Sequence, residues 1–79
     1  MEGRKVKLKG KVIEEVSMNE QTGCYMIRTD DRSVKVISEG KQAVKDYLFI
    51  RMNQEMEIDG TEKDNRVYAK KSWITIKRK

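Results

Sequence analysis

The side chains that most often carry out catalysis are scarce in this sequence. Among its 79 residues there is no histidine and one cysteine, Cys24. A thiol needs a neighbouring base or positive charge to become a nucleophile, and no imidazole is present to supply one. The adjacent acids Glu14–Glu15 and Asp30–Asp31 diverge on a strand or occupy a turn, which disfavours acid–base chemistry and metal binding. We therefore expect a non-enzymatic protein with no cofactor and no metal.

Lysine and arginine are the functional residues that the sequence offers in number. There are 18 of them against 13 acids, and they concentrate at the two ends of the chain. Residues 1–11 hold five bases and one acid (net +4), residues 12–65 seven and twelve (net −5), and residues 66–79 six and none (net +6). Lys77–Lys79 form a basic tail. Cations that meet on one surface favour a polyanion such as nucleic acid, through contacts that salt weakens.

The hydrophobic period places these residues on strands. Lysines at positions 5, 7, 9 and 11 alternate with smaller or apolar residues, as in a half-buried strand. The phase changes at Ile13, and Gly10 indicates a bend or bulge. Five strands are predicted, over Arg4–Val16, Cys24–Thr29, Ser33–Ile37, Glu55–Asp59 and Arg66–Ile76, the last with a bulge near Lys71–Ser72. Ser17–Gly23 and residues 60–65 are predicted loops, and DDRS (residues 30–33) is a predicted tight turn.

Between the third and fourth strands the hydrophobic period becomes 3.6 residues. A helix is predicted to begin at Ser38 or Gly40 and to end near Asn53. Its apolar residues recur at helical spacing and are expected to form the buried face. They are Ala43, Val44, Tyr47 and Leu48, and the spacing continues at Arg51 or Met52.

This order of elements resembles the OB-fold, a five-stranded Greek-key barrel with a helix between strands three and four. The likeness rests on the mid-strand Gly10, the helix SEGKQAVKDYL and the hairpin MEIDGTEKDNRVYA, and it covers nearly all of one domain, residues 1–79. Size and layout are similar to the small bacterial translation initiation factor built on this fold. A five-stranded SH3-like barrel is the alternative, but it lacks a three-turn helix at this place. In the OB arrangement, Tyr47 and Phe49 would cover the bottom of the barrel.

The resemblance also bears on the alternating lysines. In an OB barrel the first strand pairs with the second and with the fourth. The fourth strand carries Glu55, Glu57 and Asp59 at alternate positions. One hypothesis is that Lys7, Lys9 and Lys11 are cross-strand partners of these acids, which would favour register and solubility. The alternative is that the lysines follow a nucleic-acid backbone.

The resemblance implies a ligand site on the outer face of strands two and three, flanked by the loops between strands one and two and between strands four and five. Cations there would contact phosphates, and flat side chains would stack on bases. The outward residues of this surface and of the neighbouring fifth strand are predicted to be Arg28, Lys35, Tyr68, Lys70 and Trp73. We expect this site to bind single-stranded DNA or RNA with little sequence specificity. For Tyr68 and Trp73 the alternative is burial in the core, where Tyr25 is also expected.

A protein partner, or self-association, at the same barrel face is the alternative function. Met26, Ile37 and Trp73 would then form an outward apolar patch. The lone cysteine suits a reducing compartment, and neither an apolar leader nor a run of membrane-spanning length is visible. We therefore expect a cytosolic protein without a membrane partner. The sequence leaves the polymer, the pathway and the oligomeric state open.

Overall fold

Five strands and one helix form a closed barrel. The computed structural model describes residues 3–75. Its elements are β1 (Arg4–Asn19), β2 (Thr22–Arg28), β3 (Ser33–Glu39), α1 (Gly40–Phe49), β4 (Glu55–Lys63) and β5 (Arg66–Thr75). The strand order is β1-β2-β3-β5-β4. This confirms the predicted barrel with its helix between the third and fourth strands, and the ten-residue α1 distinguishes it from the SH3-like alternative. The predicted strand end at Ile76 and the basic tail lie outside the described residues.

β1 is long because it pairs with a different strand along each half. Arg4–Lys11 lie opposite β4, and Lys11–Asn19 lie opposite β2. At this change of partner, a Cβ on Gly10 would lie 2.7 Å from the carbonyl oxygen of Arg28, so glycine alone fits without a backbone shift. Bulges follow, and Ile13 turns outward with 39% of its surface exposed. The predicted phase change at Ile13 is confirmed, but the bulges lie at Val12–Glu14 and Glu14–Ser17 and not at Gly10, where pairing with β4 is regular.

The two predicted loops are mostly strand, which corrects the sequence-based assignment. Within Ser17–Gly23 and residues 60–65, only Glu20–Gln21 and Asp64–Asn65 remain as turns. Asp64 and Asn65 have φ values of 54° and 64°, a left-handed conformation that these residue types tolerate in two-residue hairpins. The other polar residues lie on strands whose outer face is solvated, so their polarity does not end the pairing.

The core fills the barrel with side chains from all five strands. Tyr25 is buried, as predicted, and burial among these apolar residues, with Asp46 nearby, raises the pKa of its phenol well above the ordinary value. The buried cluster contains Val12, Val16, Tyr25, Ile27, Val34, Val36, Ile50, Met56, Ile58 and Val67.

A bulge in β5 reverses the phase of that strand. Gly60 of β4 lies opposite Ala69, whereas Asp59 lies opposite Lys71, so Lys70 is the extra residue. The bulge predicted near Lys71–Ser72 is therefore confirmed, with Lys70 as the bulged residue. The bulge allows Ala69 before it and Ile74 after it both to be partly buried.

α1 packs on the barrel through a different face from the predicted one. Ala43 and Asp46 are buried, whereas Val44, Tyr47, Leu48 and Phe49 are 51–59% exposed. The predictions that the larger apolar residues form the buried face, and that Tyr47 and Phe49 cover the barrel bottom, are wrong. Within residues 3–75, no helix has the length and apolarity needed to cross a bilayer.

Small and polar contacts set this orientation of α1. A Cβ on Gly23 would lie 3.3 Å from the Cβ of Ala43, so the helix runs close to the start of β2. Asp46 Oδ1 accepts hydrogen bonds from Gln42 Nε2 (2.8 Å) and from Ser72 Oγ (3.1 Å) of β5. The close approach and the buried carboxylate fix the rotation of the helix about its axis, and the large apolar side chains are left facing solvent.

Candidate nucleic-acid interface

A row of three cations crosses the outer face of the barrel. Lys35 of β3 lies opposite Arg66 of β5, which in turn lies opposite Lys63 of β4. All three side chains are exposed. Neighbouring strands lie about 4.8 Å apart, so the three positive charges span about 10 Å. On the other side of Lys35 the row continues with the half-buried Met26 of β2.

An apolar and aromatic row lies two positions further along the same strands. Tyr68 of β5 lies between Ile37 of β3 and Thr61 of β4. The ring is 37% exposed, so one part packs on its neighbours and the other meets solvent. We call this surface the basic–aromatic face; it consists of Arg28, Lys35, Lys63, Arg66 and Tyr68, with Met26 and Ile37 between them.

The structure brings together three of the five predicted site residues. Arg28 is exposed at the end of β2, two positions beyond the Met26 that lies opposite Lys35, and Tyr68 lies in the adjacent row. Lys70 is the bulged residue, at a point where β5 no longer pairs with β3. Trp73 lies opposite Glu57 of β4, about 16 Å along the strand from Tyr68 at ~3.3 Å per residue.

Trp73 is exposed rather than buried in the core, but it lies away from the basic–aromatic face. The indole is 45% exposed and lines a cavity with Lys45 and Phe49 of α1, together with Met56 and Ile74. It therefore adds nothing to an apolar patch on the basic–aromatic face. Of the three residues predicted for the apolar patch of a protein partner, Met26 and Ile37 lie on that face, where Tyr68 is the neighbour of Ile37.

Lys63 and Arg66 are members of the face that sequence reasoning missed. Lys63 stood in a predicted loop, and Arg66 was only the first residue of a predicted strand. Their proximity to Lys35 depends on the parallel pairing of β3 with β5. Such pairing joins segments about thirty residues apart, and the period of a single strand carries no signal for it.

The alternating lysines of β1 lie where the cross-strand hypothesis placed them. Lys7 is opposite Asp59, Lys9 is opposite Glu57, and Lys11 is opposite Glu55. This register confirms the predicted juxtaposition of lysines and acids. The outer surface of β1 and β4 thus alternates in sign, whereas the row Lys35–Arg66–Lys63 is positive throughout.

An ion cluster holds the β4–β5 hairpin beside the row of cations. Arg32 donates from Nη2 to Glu62 Oε1 (2.8 Å) and from Nη1 to Oε2 (3.1 Å), and Arg4 Nη2 lies 3.6 Å from Oε1. The Arg32 hydrogen bonds lower the pKa of the Glu62 carboxyl. Since Glu62 is adjacent to Lys63, the cluster ties the β2–β3 turn to the hairpin that carries two of the three cations.

The described residues show no arrangement suited to metal chemistry. Over residues 3–75, no three Cys, Asp or Glu side chains are grouped so that they could hold a metal ion. A groove beside Arg28 is lined by Lys9, Lys11, Asp30 and Glu55, where the charges are of both signs. The row Lys35–Arg66–Lys63 of the basic–aromatic face, in contrast, contains positive charges alone.

The chain is similar to known proteins in its three-dimensional structure. No protein-family model and no curated protein sequence matches the chain. TiaS, in its complex with a tRNA, AMPCPP and agmatine, is similar over 92% of this chain, with a TM-score of 0.84 and 23% identity, but the match covers 19% of TiaS. The chain therefore spans about a fifth of that protein.

Two smaller proteins match along almost their whole length. The SSB domain of a Synechococcus protein has a TM-score of 0.77 and 13% identity, covering 87% of this chain and 92% of that domain. The mitochondrial single-stranded DNA binding protein Rim1 from S. cerevisiae has a TM-score of 0.78 and 11% identity, covering 94% and 95%. These likenesses, together with the strand order and the position of α1, show that the chain is an OB-fold barrel.

Proposed function

We propose that this protein binds single-stranded nucleic acid, without catalysis and with low sequence specificity, through the basic–aromatic face. The observation that carries the proposal is the uninterrupted row Lys35–Arg66–Lys63 beside the half-exposed ring of Tyr68. A polynucleotide offers a line of negative charge next to a line of flat bases. The face offers the complementary arrangement on adjacent rows of one sheet.

Each part of the face has a separate physical role. The cations contact phosphates, and this term is independent of sequence and falls with salt. Tyr68 stacks on a base, an interaction that any base can make. Met26 and Ile37 provide the apolar surface around the ring. Stacking and phosphate contacts together give affinity with little discrimination among sequences.

The similar proteins support this proposal. The domains that match this chain over nearly their full length are an SSB domain and a single-stranded DNA binding protein. TiaS, of which the matching segment is only one part, was crystallised with a tRNA. Both DNA and RNA are therefore tested as ligands.

Two tyrosines on different surfaces provide a matched test. Labelled single-stranded DNA and RNA of about 16 nucleotides, the upper end of the site size of one OB-fold, would be titrated with the protein by fluorescence anisotropy. Tyr68→Ala should weaken binding by about 5- to 150-fold, as expected for loss of one stacked base worth about 1–3 kcal/mol. Tyr47→Ala removes an exposed tyrosine from α1 and should leave Kd unchanged. Equal effects of the two substitutions, or none for Tyr68→Ala, would contradict the assignment of the face.

A further inference from the structure

The exposed side of α1 carries a second surface that the nucleic-acid proposal does not use. Six large apolar residues of α1, of the segment that follows it and of β5 are 42–59% exposed. We call them the helix patch: Val44, Tyr47, Leu48, Phe49, Met52 and Trp73. Apolar residues exposed singly are ordinary, but a contiguous group on a small protein marks an interaction surface.

Helix geometry and one shared cavity place five of the six members side by side, and Met52 follows the helix. Val44 and Leu48 are four residues apart in α1 and form one ridge along the helix surface. Tyr47 lies on one side of this ridge and Phe49 on the other. Phe49 and Trp73 line the same cavity between α1 and β5, which extends the patch from the helix onto the barrel.

Cations run beside this apolar ridge. Lys41 and Lys45 are also four residues apart and form the neighbouring ridge, which ends at Phe49. Both lysines are exposed, as is Arg51 just after the helix. The single acid of α1, Asp46, is 2% exposed and accepts hydrogen bonds within the protein.

Two exposed acids lie near the start of the helix: Glu39, the residue directly before it, and Glu20 of the β1–β2 turn. Glu20 lines a shallow groove together with Lys41 and Val44. The positive charge is therefore strongest toward the end of α1, around Lys45 and Arg51. A ligand of the helix patch would place most of its negative charge there, and the remainder beside Lys41.

From this pairing of an apolar ridge with a basic ridge, we propose that the helix patch binds an acidic amphipathic helix of a partner protein. Such a helix would pack its own apolar ridge on Val44 and Leu48 and place carboxylates opposite Lys41 and Lys45. Charge complementarity argues against a second copy of this chain, which would bring the same lysines together. The aliphatic centre of the patch argues against nucleic acid, because Val44 and Leu48 cannot stack on bases.

The test uses the full chain and two designed peptides. Each has about 18 residues, since shorter isolated helices are marginal in water, and each carries a leucine and phenylalanine ridge. One peptide flanks that ridge with glutamates and the other with lysines. Binding would be followed by peptide anisotropy and by the emission of Trp73, the sole tryptophan.

We expect the acidic peptide to bind and the basic peptide to bind at least about tenfold more weakly. The double variant Lys41→Glu/Lys45→Glu should reverse this preference, and Leu48→Ser should weaken binding of the acidic peptide by about tenfold or more. The matched double variant Lys35→Glu/Arg66→Glu changes net charge equally on the other face and should leave peptide binding unchanged. Circular dichroism would verify that each variant is folded; all the substituted residues are exposed.

Three outcomes would overturn the proposal. The first is that the two peptides bind equally or not at all. The second is that sedimentation shows a dimer that Leu48→Ser dissociates, which makes a second copy the occupant. The third is that Lys41→Glu/Lys45→Glu abolishes the binding of the oligonucleotide or of anionic phosphatidylglycerol vesicles, while binding of the acidic peptide is unaffected. The nucleic-acid proposal rests on a separate measurement: if Tyr68→Ala weakens oligonucleotide binding and Tyr47→Ala does not, that proposal stands even when the helix-patch proposal fails.

Discussion

The row Lys35–Arg66–Lys63 gives a quantitative prediction for salt dependence. The perturbation is the triple variant Lys35→Gln, Lys63→Gln and Arg66→Gln, which removes three positive charges from one row of adjacent strands. Because all three side chains are exposed, the substitutions leave the core unchanged. Any change in binding then reports contacts to the ligand.

The magnitude follows from the number of phosphates that the row can contact. For single-stranded nucleic acid, each phosphate contact contributes about 0.7 to the slope of log K against log salt concentration. Three contacts therefore contribute a slope of about 2.1, equivalent to about 100-fold in affinity at about 0.1 M salt. The measurement is an anisotropy titration of a single-stranded oligonucleotide at four or more salt concentrations.

β1 provides a control with the same change in net charge. The triple variant Lys7→Gln, Lys9→Gln and Lys11→Gln also removes three positive charges, but from positions that lie opposite acids of β4. These lysines are expected to contact no phosphate, so the slope should change by less than about 0.7, the contribution of one contact.

The comparison of the two triple variants can refute the reasoning. If both reduce the slope equally, binding depends on the net charge of the protein and not on the face. If the β1 variant has the larger effect, the alternating lysines follow the nucleic-acid backbone after all, and the cross-strand acids do not remove them from the site.

Three further predictions concern stability, each measured by urea unfolding followed by circular dichroism. Gly10→Ala places a methyl group against the carbonyl of Arg28 and should destabilise the fold by about 2 kcal/mol; an unchanged midpoint would show that β1 shifts freely. Asp46→Ala removes the buried acceptor of two partly buried hydrogen bonds and should destabilise by about 2 kcal/mol, whereas a neutral effect would mean that the network does not anchor α1. Because Arg32 lowers the pKa of Glu62, the ion pair should stabilise the fold above the ordinary glutamate pKa, and stability should fall as pH drops through the lowered, folded-state pKa. Glu62→Gln should remove this part of the loss in acid, and an unchanged acid limb would exclude the ion pair as its source.

The features that the sequence predicted correctly are those that depend on the spacing of polar and apolar residues within one segment. Alternation along Lys5–Lys11 identified a strand with one wet face, and alternation of Glu55, Glu57 and Asp59 identified its partner. Since side chains of paired strands meet on the same face, the two patterns together predicted a juxtaposition of lysines and acids that the register shows.

The features that could not be predicted depend on contacts between distant segments. The parallel pairing of Arg66–Tyr68 with Lys35–Ile37 assembles the basic–aromatic face, and no period within either strand specifies it. The helix was identified by its apolar spacing, but its rotation follows from Gly23, which admits Ala43 closely, and from the buried carboxylate of Asp46. Apolar spacing predicts which residues share a side of a helix and not which side faces the core.

The apolar side of α1 is therefore not the side that packs on the barrel, and this difference bears on the role of the helix patch. The core cluster is built from strand residues and Ile50, which lies beyond the helix, and α1 packs on the barrel through Ala43 and Asp46. Exposed Val44, Tyr47 and Phe49 add nothing to that core. They do not favour the helix either, since valine, tyrosine and phenylalanine are weaker helix formers than alanine, lysine or glutamate. Neither folding nor helix propensity accounts for a half-exposed apolar ridge beside a row of lysines. Contact with a partner of matching shape and opposite charge accounts for both features.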